Sequence, residues 1–299
     1  MSFKTTFGIL TRPLSLALPK LRIEPLPDLN ALVERFRGQS NKDGHYYPPM
    51  SEQVSFPDWP DETRKEPVPQ TSRPAQLFRL PPSHSLELLS PCSADPHSGD
   101  AAFVVQLLAY LHGTRLQLTD WQFDSRIPLD SNHHVWLTRA SIERFVSSAY
   151  DNWSAKPPER QLRLTNILYL HAKAPAYDWT WENFLMEYIV TDAIYDYCSR
   201  SYVAIPVEHA GRIRELCSRL GLWCPPDAPI PELVEMRNSL FHEGLWEGEK
   251  PGYKITAPSR DRVFLLRYLN QKLIAAALGG ATAYTRSSWL DWRQMVDFA

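Results

Sequence analysis

The stretch EMRNSLFHEGLW, residues 235–246, places an arginine, an asparagine and a histidine within six positions and then reaches a glycine. These side chains can act on a phosphate ester without a metal. An imidazole moves protons near neutral pH, and a guanidinium binds a phosphate through two parallel hydrogen bonds. Arg237 and His242 are therefore candidate catalytic residues, and Asn238 could orient a phosphate oxygen or the imidazole.

The spacing alone is a weak signal, because Arg79 precedes His84 and Arg126 precedes His133 in stretches broken by proline and turn-forming residues. The pair at 237 and 242 differs because apolar residues recur at helical spacing across 231–244, which ends at a glycine. The structural alternative is common: an arginine and a histidine in a last helical turn often only complement the helix dipole.

Helix geometry leads to a prediction about assembly. At about 100° per residue, Asn238 and His242 share one face of the helix, whereas Arg237 is rotated by about 140° from His242. One copy of this helix is therefore not expected to direct both side chains at one phosphate. Two copies packed about a twofold axis would do so, which predicts a homodimer with a composite site.

The elements that must position these residues are helical from residue 131 onward. The longest predicted helix is apolar on most faces, which favours a place in the middle of a bundle. Ser259 is the expected N-cap of the last helix, and Gly279 and Gly280 are its expected end. The six predicted helices are 135–153, 157–174, 179–204, 207–223, 231–244 and 259–280.

Residues 1–130 have a different character, since 15 of the 26 prolines lie in the first 100 residues. Alternating apolar and polar residues predict strands within 14–26 and 85–90, and an apolar run predicts one helix near 101–113. The chain is therefore expected to be α+β: an irregular, β-containing, proline-rich region at 1–130 and an all-α helical domain at 131–299.

Composition limits the class of function. The formal net charge is −2 and the pI is about 6.5, whereas proteins that bind duplex nucleic acid through a broad electrostatic footprint are usually far more basic. The overall charge neither supports nor excludes RNA as a ligand, and an RNA site would have to be local. No metal site or cofactor is expected, because His133 and His134 have no evident third ligand and the cysteines form no CxxC or zinc-finger spacing. These cysteines are Cys92, Cys198, Cys217 and Cys224.

The N-terminal 20 residues lack the uninterrupted apolar core of a signal peptide. The apolar run LIAAALGGA is about half the length that a membrane span requires. The protein is therefore expected to be soluble and cytoplasmic, with no membrane partner.

In this helical setting RNSLFH, with the pattern R-N-x-x-x-H, resembles the signature of the HEPN superfamily of α-helical domains. Residues 184–198 resemble the long central helix of that family, where an acidic residue, here Asp192, often follows an aromatic-rich half. Residues 264–280 resemble the last helix of many bacterial HEPN proteins, and the resemblance covers about 131–285. More weakly, residues 110–129 resemble N-terminal regions that are fused to HEPN domains in bacteria.

The resemblance implies a metal-independent RNA endonuclease that acts as a homodimer and leaves a 2′,3′-cyclic phosphate and a 5′-hydroxyl. Asp192 would orient Arg237 or His242, and the N-terminal region would take a regulatory ligand or protein. Such an activity would fit toxin, stress or anti-phage defence.

Two alternatives remain open. The bundle could be a non-catalytic HEPN scaffold that binds a nucleotide, RNA or protein partner. Alternatively, residues 1–130 could be the active part and the bundle only a dimerisation domain, but these residues contain no evident nucleophile–base pair, P-loop or glycine-rich phosphate loop.

Overall fold

A computed structural model describes residues 2–47, 52–58, 62–67, 77–89, 99–118, 121–129, 135, 138–177, 179–199, 208–246, 257–279 and 282–290. For 52–58, 62–67, 77–78 and 257–260, only the course of the backbone is described. His133, His134 and Cys92 lie outside the described residues, so the expectations that concern them stay predictions.

Strands and helices alternate in the first half of the chain, and helices follow in the second. The strands are β1 (Phe3–Gly8), β2 (Leu16–Ala17), β3 (Leu21–Pro25), β4 (His45–Tyr46), β5 (Glu52–Asp58), β6 (Glu62–Pro67), β7 (Leu77–Phe78), β8 (His84–Leu88), β9 (Gln117–Leu118), β10 (Phe123–Asp124) and β11 (Ile127–Pro128). The helices are α1 (Leu29–Arg37), α2 (Asp100–His112), α3 (Arg139–Ser154), α4 (Pro158–Lys173), α5 (Thr180–Ser199), α6 (His209–Arg219), α7 (Ile230–Asn238), α8 (Ala257–Gly279) and α9 (Ala283–Arg286).

A five-stranded antiparallel sheet, in the order β2-β3-β8-β1-β9, is the largest β structure among the described residues. Alternate residues of its strands are buried, as Leu21 and Ile23 are on β3 and Leu86 and Leu88 on β8. This alternation is what a sheet with one face on the core requires, and it confirms the strands predicted within 14–26 and 85–90. The remaining strands pair as β4 with β11, β5 with β6, and β7 with β10.

Helix α1 was not predicted, because prolines on both sides obscure its period. Leu29, Leu32, Val33 and Phe36 are all buried, which is the i, i+3, i+4, i+7 pattern of one helix face. Gly38 follows as the C-cap. The region predicted as irregular and β-containing therefore includes a second helix besides the one expected near 101–113.

Helix α2 lies at the centre of the molecule, and every one of its residues except His112 is buried. It packs against α3 and α4 on one side and against the sheet strands β8 and β9 on the other. The Tyr110 hydroxyl donates a hydrogen bond to the carbonyl of Gln271 on α8 at 2.6 Å. Because of these contacts, one continuous apolar core joins the sheet to the helices on either side of residue 130.

All six predicted helices are present, as α3 to α8, and α5 packs against α4, α6 and α8 in the middle of the group. Proline at the first position of α4 suits a turn whose N–H groups have no helical partner. Helix α8 begins at Ala257, so Ser259 lies in its first turn and the N-cap prediction is wrong. The α+β class is confirmed, whereas the HEPN-like arrangement of the bundle stays a prediction.

A buried polar network joins α4, α5 and α8. The Glu187 carboxylate accepts hydrogen bonds from His171 Nδ1 at 2.9 Å and Asn270 Nδ2 at 2.8 Å, and it pairs with the Arg267 guanidinium. Arg267 also donates to the carbonyl of His171 at 2.9 Å. These side chains are nearly inaccessible to solvent, so the network fixes the rotation of α5 and with it the residues that α5 presents at the surface.

The pKa of Glu187 reflects this surrounding. Burial alone would raise it, but the charges and hydrogen bonds of its partners outweigh burial and lower it to about 2. Burial lowers the pKa of His171, the Glu187 carboxylate raises it and the charge of Arg267 lowers it further. Arg267 carries a permanent charge and pairs directly with Glu187, so it is a cation that balances the carboxylate.

Candidate functional site

The segment that follows α7 is a π-helical turn, Ser239–Glu243. It ends at Gly244, which adopts the left-handed conformation with φ of 68° and donates its N–H to the carbonyl of Ser239. In a π turn each N–H bonds to the carbonyl five residues earlier, so residues five apart lie on one face. Arg237 and His242 have this separation, and Arg237 Nη1 lies 3.2 Å from His242 Nε2.

The expectation that one copy of this helix cannot bring Arg237 and His242 together is therefore wrong. It assumed α-helical rotation throughout, whereas the turn that carries His242 is wider. One chain presents both side chains at the same place.

The Arg237 side chain is half-buried and held on several sides. Its Nη1 also donates to Asn238 Oδ1 at 3.1 Å, and its guanidinium carbon lies 4.6 Å from the centre of the Phe241 ring and 6.0 Å from that of Tyr188. Its buried Nε has no hydrogen-bond partner among the described residues. Stacking thus orients the guanidinium plane, as arginines that bind planar anions require.

His242 is exposed, and its contact with Arg237 defines the tautomer in this state. A guanidinium carries donors only, so Nε2 accepts and the ring proton is on Nδ1. A phosphate that takes the Arg237 donors would free the Nε2 lone pair. The arrangement is thus compatible with an imidazole that becomes a base when an anion binds.

Asp192 on α5 faces the same surface but does not reach the pair directly. Its described ion pairs are with His209 Nδ1 at 3.8 Å and Arg212 Nη1 at 3.9 Å, both on α6. The expectation that Asp192 orients Arg237 or His242 by direct contact is therefore replaced by an indirect link through α6.

His209 and Arg212 are the residues that the sequence did not indicate. The His209 ring lies 5.8 Å from the Tyr188 ring, and burial followed by the charge of Arg237 lowers the pKa of His209. The Arg212 guanidinium carbon lies over the Tyr195 ring, 5.4 Å from its centre. No local signal could have found them, because only the packing of α6 against α5 and α7 brings them here.

Large apolar side chains border this group on the solvent side. Phe241 is 49% exposed and Leu245 is 36% exposed. Beside them lie two guanidinium groups, Arg237 and Arg212, and one carboxylate, Asp192. The surface therefore combines an anion-binding group with apolar area that a single copy leaves uncovered.

Comparison of the chain with family models, curated proteins and solved structures gives no match. The HEPN resemblance therefore rests on the residues of the chain and stays a prediction.

Within the described ranges, no three His, Cys, Asp or Glu side chains lie close enough together to hold a metal ion. The thiols of Cys198, Cys217 and Cys224 are free. None of the described helices combines the length and the apolar character that a transmembrane helix requires. The cytoplasmic location stays a prediction.

Proposed function

We propose that the protein is a metal-independent RNA endonuclease whose catalytic residues are Arg237 and His242. The observation that carries the proposal is the 3.2 Å contact between Arg237 Nη1 and His242 Nε2 on an exposed turn. A guanidinium and an imidazole at this distance can act on the same phosphate.

The reaction would be an internal transesterification. His242 Nε2 takes the proton of the 2′-hydroxyl, the 2′-oxygen forms a bond to phosphorus, and the bond to the 5′-oxygen breaks. Arg237 binds the non-bridging oxygens and stabilises the charge that develops on them. Asn238 supports Arg237 through its 3.1 Å hydrogen bond. The products are a 2′,3′-cyclic phosphate and, after protonation, a 5′-hydroxyl.

A second imidazole must supply the proton for the 5′-oxygen, and two are available. His209 of the same chain is one, but burial and the charge of Arg237 lower its pKa, which disfavours the protonated form that an acid needs. The partner subunit's His242 is the other, and it would be brought in by a homodimer that covers Phe241 and Leu245. The homodimer is therefore part of the proposal. The reason is that the reaction needs a second imidazole as its acid, and no longer that Arg237 and His242 were expected to lie on different faces of one helix.

Asp192 becomes a positioning residue, since it holds His209 and Arg212 and leaves Arg237 free for the phosphate. The N-terminal region would regulate the activity, and a role in toxin, stress or anti-phage defence rests on the family resemblance alone.

The test is incubation of the purified full chain with transfer RNA and total RNA in excess EDTA, with the products' termini identified by mass spectrometry. We expect cleavage that leaves cyclic phosphate ends. His242→Ala should lower the rate about 100-fold or more, the usual contribution of acid–base catalysis, and Arg237→Ala should have a similar effect. Arg139→Ala, which removes an exposed arginine of α3, is the matched control and should cleave like the wild type.

Cleavage that survives in both Arg237→Ala and His242→Ala would refute the assignment. If the wild type binds RNA without cutting it and Arg237→Ala loses that binding, the non-catalytic scaffold is the correct alternative. Sedimentation velocity on the active protein tests the homodimer, and an active monomer would transfer the acid role to His209.

A further inference from the structure

A cavity of about 310 Å³ lies between the N-terminal half and the helical bundle, remote in sequence from Arg237 and His242. Helix α4 forms one wall, the loop after β9 forms the other, and α2 and β9 form the floor. Its size is at the lower end of the range for small-molecule sites, which fits a ligand as large as a nucleobase or nucleoside.

The lining is uncharged, with amide groups set among a surface that is mainly apolar. Four of its eight side chains are primary amides, and none is an acid or a base. Two further side chains, Trp121 and Tyr169, are aromatic. A site without cations gives no advantage to a phosphate, so the ligand it fits is neutral, with polar edges and a flat face for aromatic stacking.

The floor contains amides that are almost completely buried. Gln106 is 2% exposed and Gln117 is 6% exposed. Gln117 Oε1 has no hydrogen-bond partner among the described residues, and the hydrogen bond that Gln106 Nε2 donates to the carbonyl of Leu116 is long at 3.4 Å. A buried amide acceptor without a partner is costly in a folded protein, and a ligand that donates to it would remove this cost.

We propose that this cavity binds the adenine base of a nucleoside, between α4 and the loop after β9. An amide offers one donor and one acceptor side by side, which matches the N6 donor and N7 acceptor of adenine. Guanine shows two acceptors at the same edge and is best read by a guanidinium, which the lining lacks. The base stacks on Trp121 or Tyr169, and the ribose extends towards the open mouth between Gln122 and Asn166.

The site shares no residue with the proposed nuclease centre, so it stands or falls independently of that activity. Its ligand would contact α2, β9 and α4 together.

The experiment is isothermal titration calorimetry of the full chain with adenosine, guanosine and ribose. We expect adenosine to bind, guanosine to bind about tenfold more weakly or less, and ribose to give no heat. Gln117→Leu should weaken adenosine about tenfold or more, because the buried partner of the base is gone. The matched control is Gln39→Leu, an exposed amide just after α1, which should bind adenosine like the wild type.

Asn166→Ala serves as a second variant in case Gln117→Leu fails to fold, since Asn166 is exposed on α4 and its loss leaves the core intact. It should weaken adenosine binding by a smaller factor. Absence of adenosine heat at millimolar concentration overturns the proposal. Equal affinity for adenosine and guanosine, or for adenosine and ribose, also overturns it, as does a Gln117→Leu protein that is folded and binds like the control.

Discussion

Replacement of Glu187 by glutamine should destabilise the protein strongly, because it leaves the Arg267 guanidinium buried without its counter-ion. The Glu187 side chain is 1% exposed, so solvent does little to screen its interactions. Its pKa falls from the usual 4.5 to about 2 on folding, and at about 1.4 kcal/mol per pKa unit this difference corresponds to about 3 kcal/mol at pH 7. Measured costs of breaking a buried ion pair are of the same size, about 3–5 kcal/mol.

The same carboxylate predicts a pH dependence. Because its pKa is lower in the folded chain than in the unfolded chain, its stabilisation is complete above about pH 4.5 and is lost as the pH falls towards 2. The gap between wild type and Glu187→Gln should therefore shrink to about 1.4 kcal/mol at pH 3.

Urea unfolding followed by tryptophan fluorescence measures both effects, since Trp153, Trp246 and Trp289 are buried. Glu143→Gln is the matched control: Glu143 is 40% exposed and pairs with Arg139 on the surface of α3, so its loss should cost less than about 0.5 kcal/mol. The reasoning is refuted if Glu187→Gln unfolds at the same urea concentration as the wild type. A gap that stays constant from pH 7 to pH 3 would show that the charge is not its source.

Two other substitutions test the packing of the sheet. Gly8→Ala should cost about 1–3 kcal/mol in urea unfolding, because a Cβ there would lie 2.9 Å from the carbonyl oxygen of Pro81 and 3.1 Å from the backbone nitrogen of Ser83. Gly38→Ala is its control, since the nearest atom would be 3.4 Å away and φ is −65°, and it should be neutral or slightly stabilising. Burial lowers the pKa of His84 from 6.5 to about 4. The neutral ring therefore stabilises the folded protein fully above about pH 6.5, and this stabilisation is lost as the pH falls towards 4, with about 2 kcal/mol lost at pH 5. An uncharged His84→Gln protein should lose less stability than the wild type over that interval, and equal losses in the same urea assay would contradict the assignment.

The helices of the second half could be predicted because their apolar spacing survives in the sequence, and their ends carry glycine or proline. Helix α2 was also predicted, but its central position in the fold was not, because an apolar run does not show which other elements a helix packs against. Its complete burial between the sheet and α3 and α4 follows from tertiary contacts that join residues far apart in the chain.

The candidate site was predicted only in part, for a related reason. Arg237, Asn238 and His242 were named from their types and spacing, and their proximity depends on a π turn that no residue type signals. The approach of His209 depends on how α6 packs, and the buried partners of Glu187 lie on two other helices. The pKa shifts at the candidate site and in the buried Glu187 network thus depend on contacts between segments that are far apart in the chain, and a single sequence does not show these contacts.

The π turn ties the contact between Arg237 and His242 to the way this segment winds. In an ordinary α-helix, residues five apart are rotated by about 140°, so the same sequence wound as an α-helix would lose the contact. A homologous chain one residue shorter within 239–241 would place the two side chains four apart, and an α-helical turn would then hold them on one face, about 40° apart. Substitutions of Ser239 or Leu240 that keep both the chain length and the π turn leave the contact in place. Homologous chains can therefore keep the guanidinium beside the imidazole in two ways, with a separation of five and a π turn or with a separation of four and an α-helical turn.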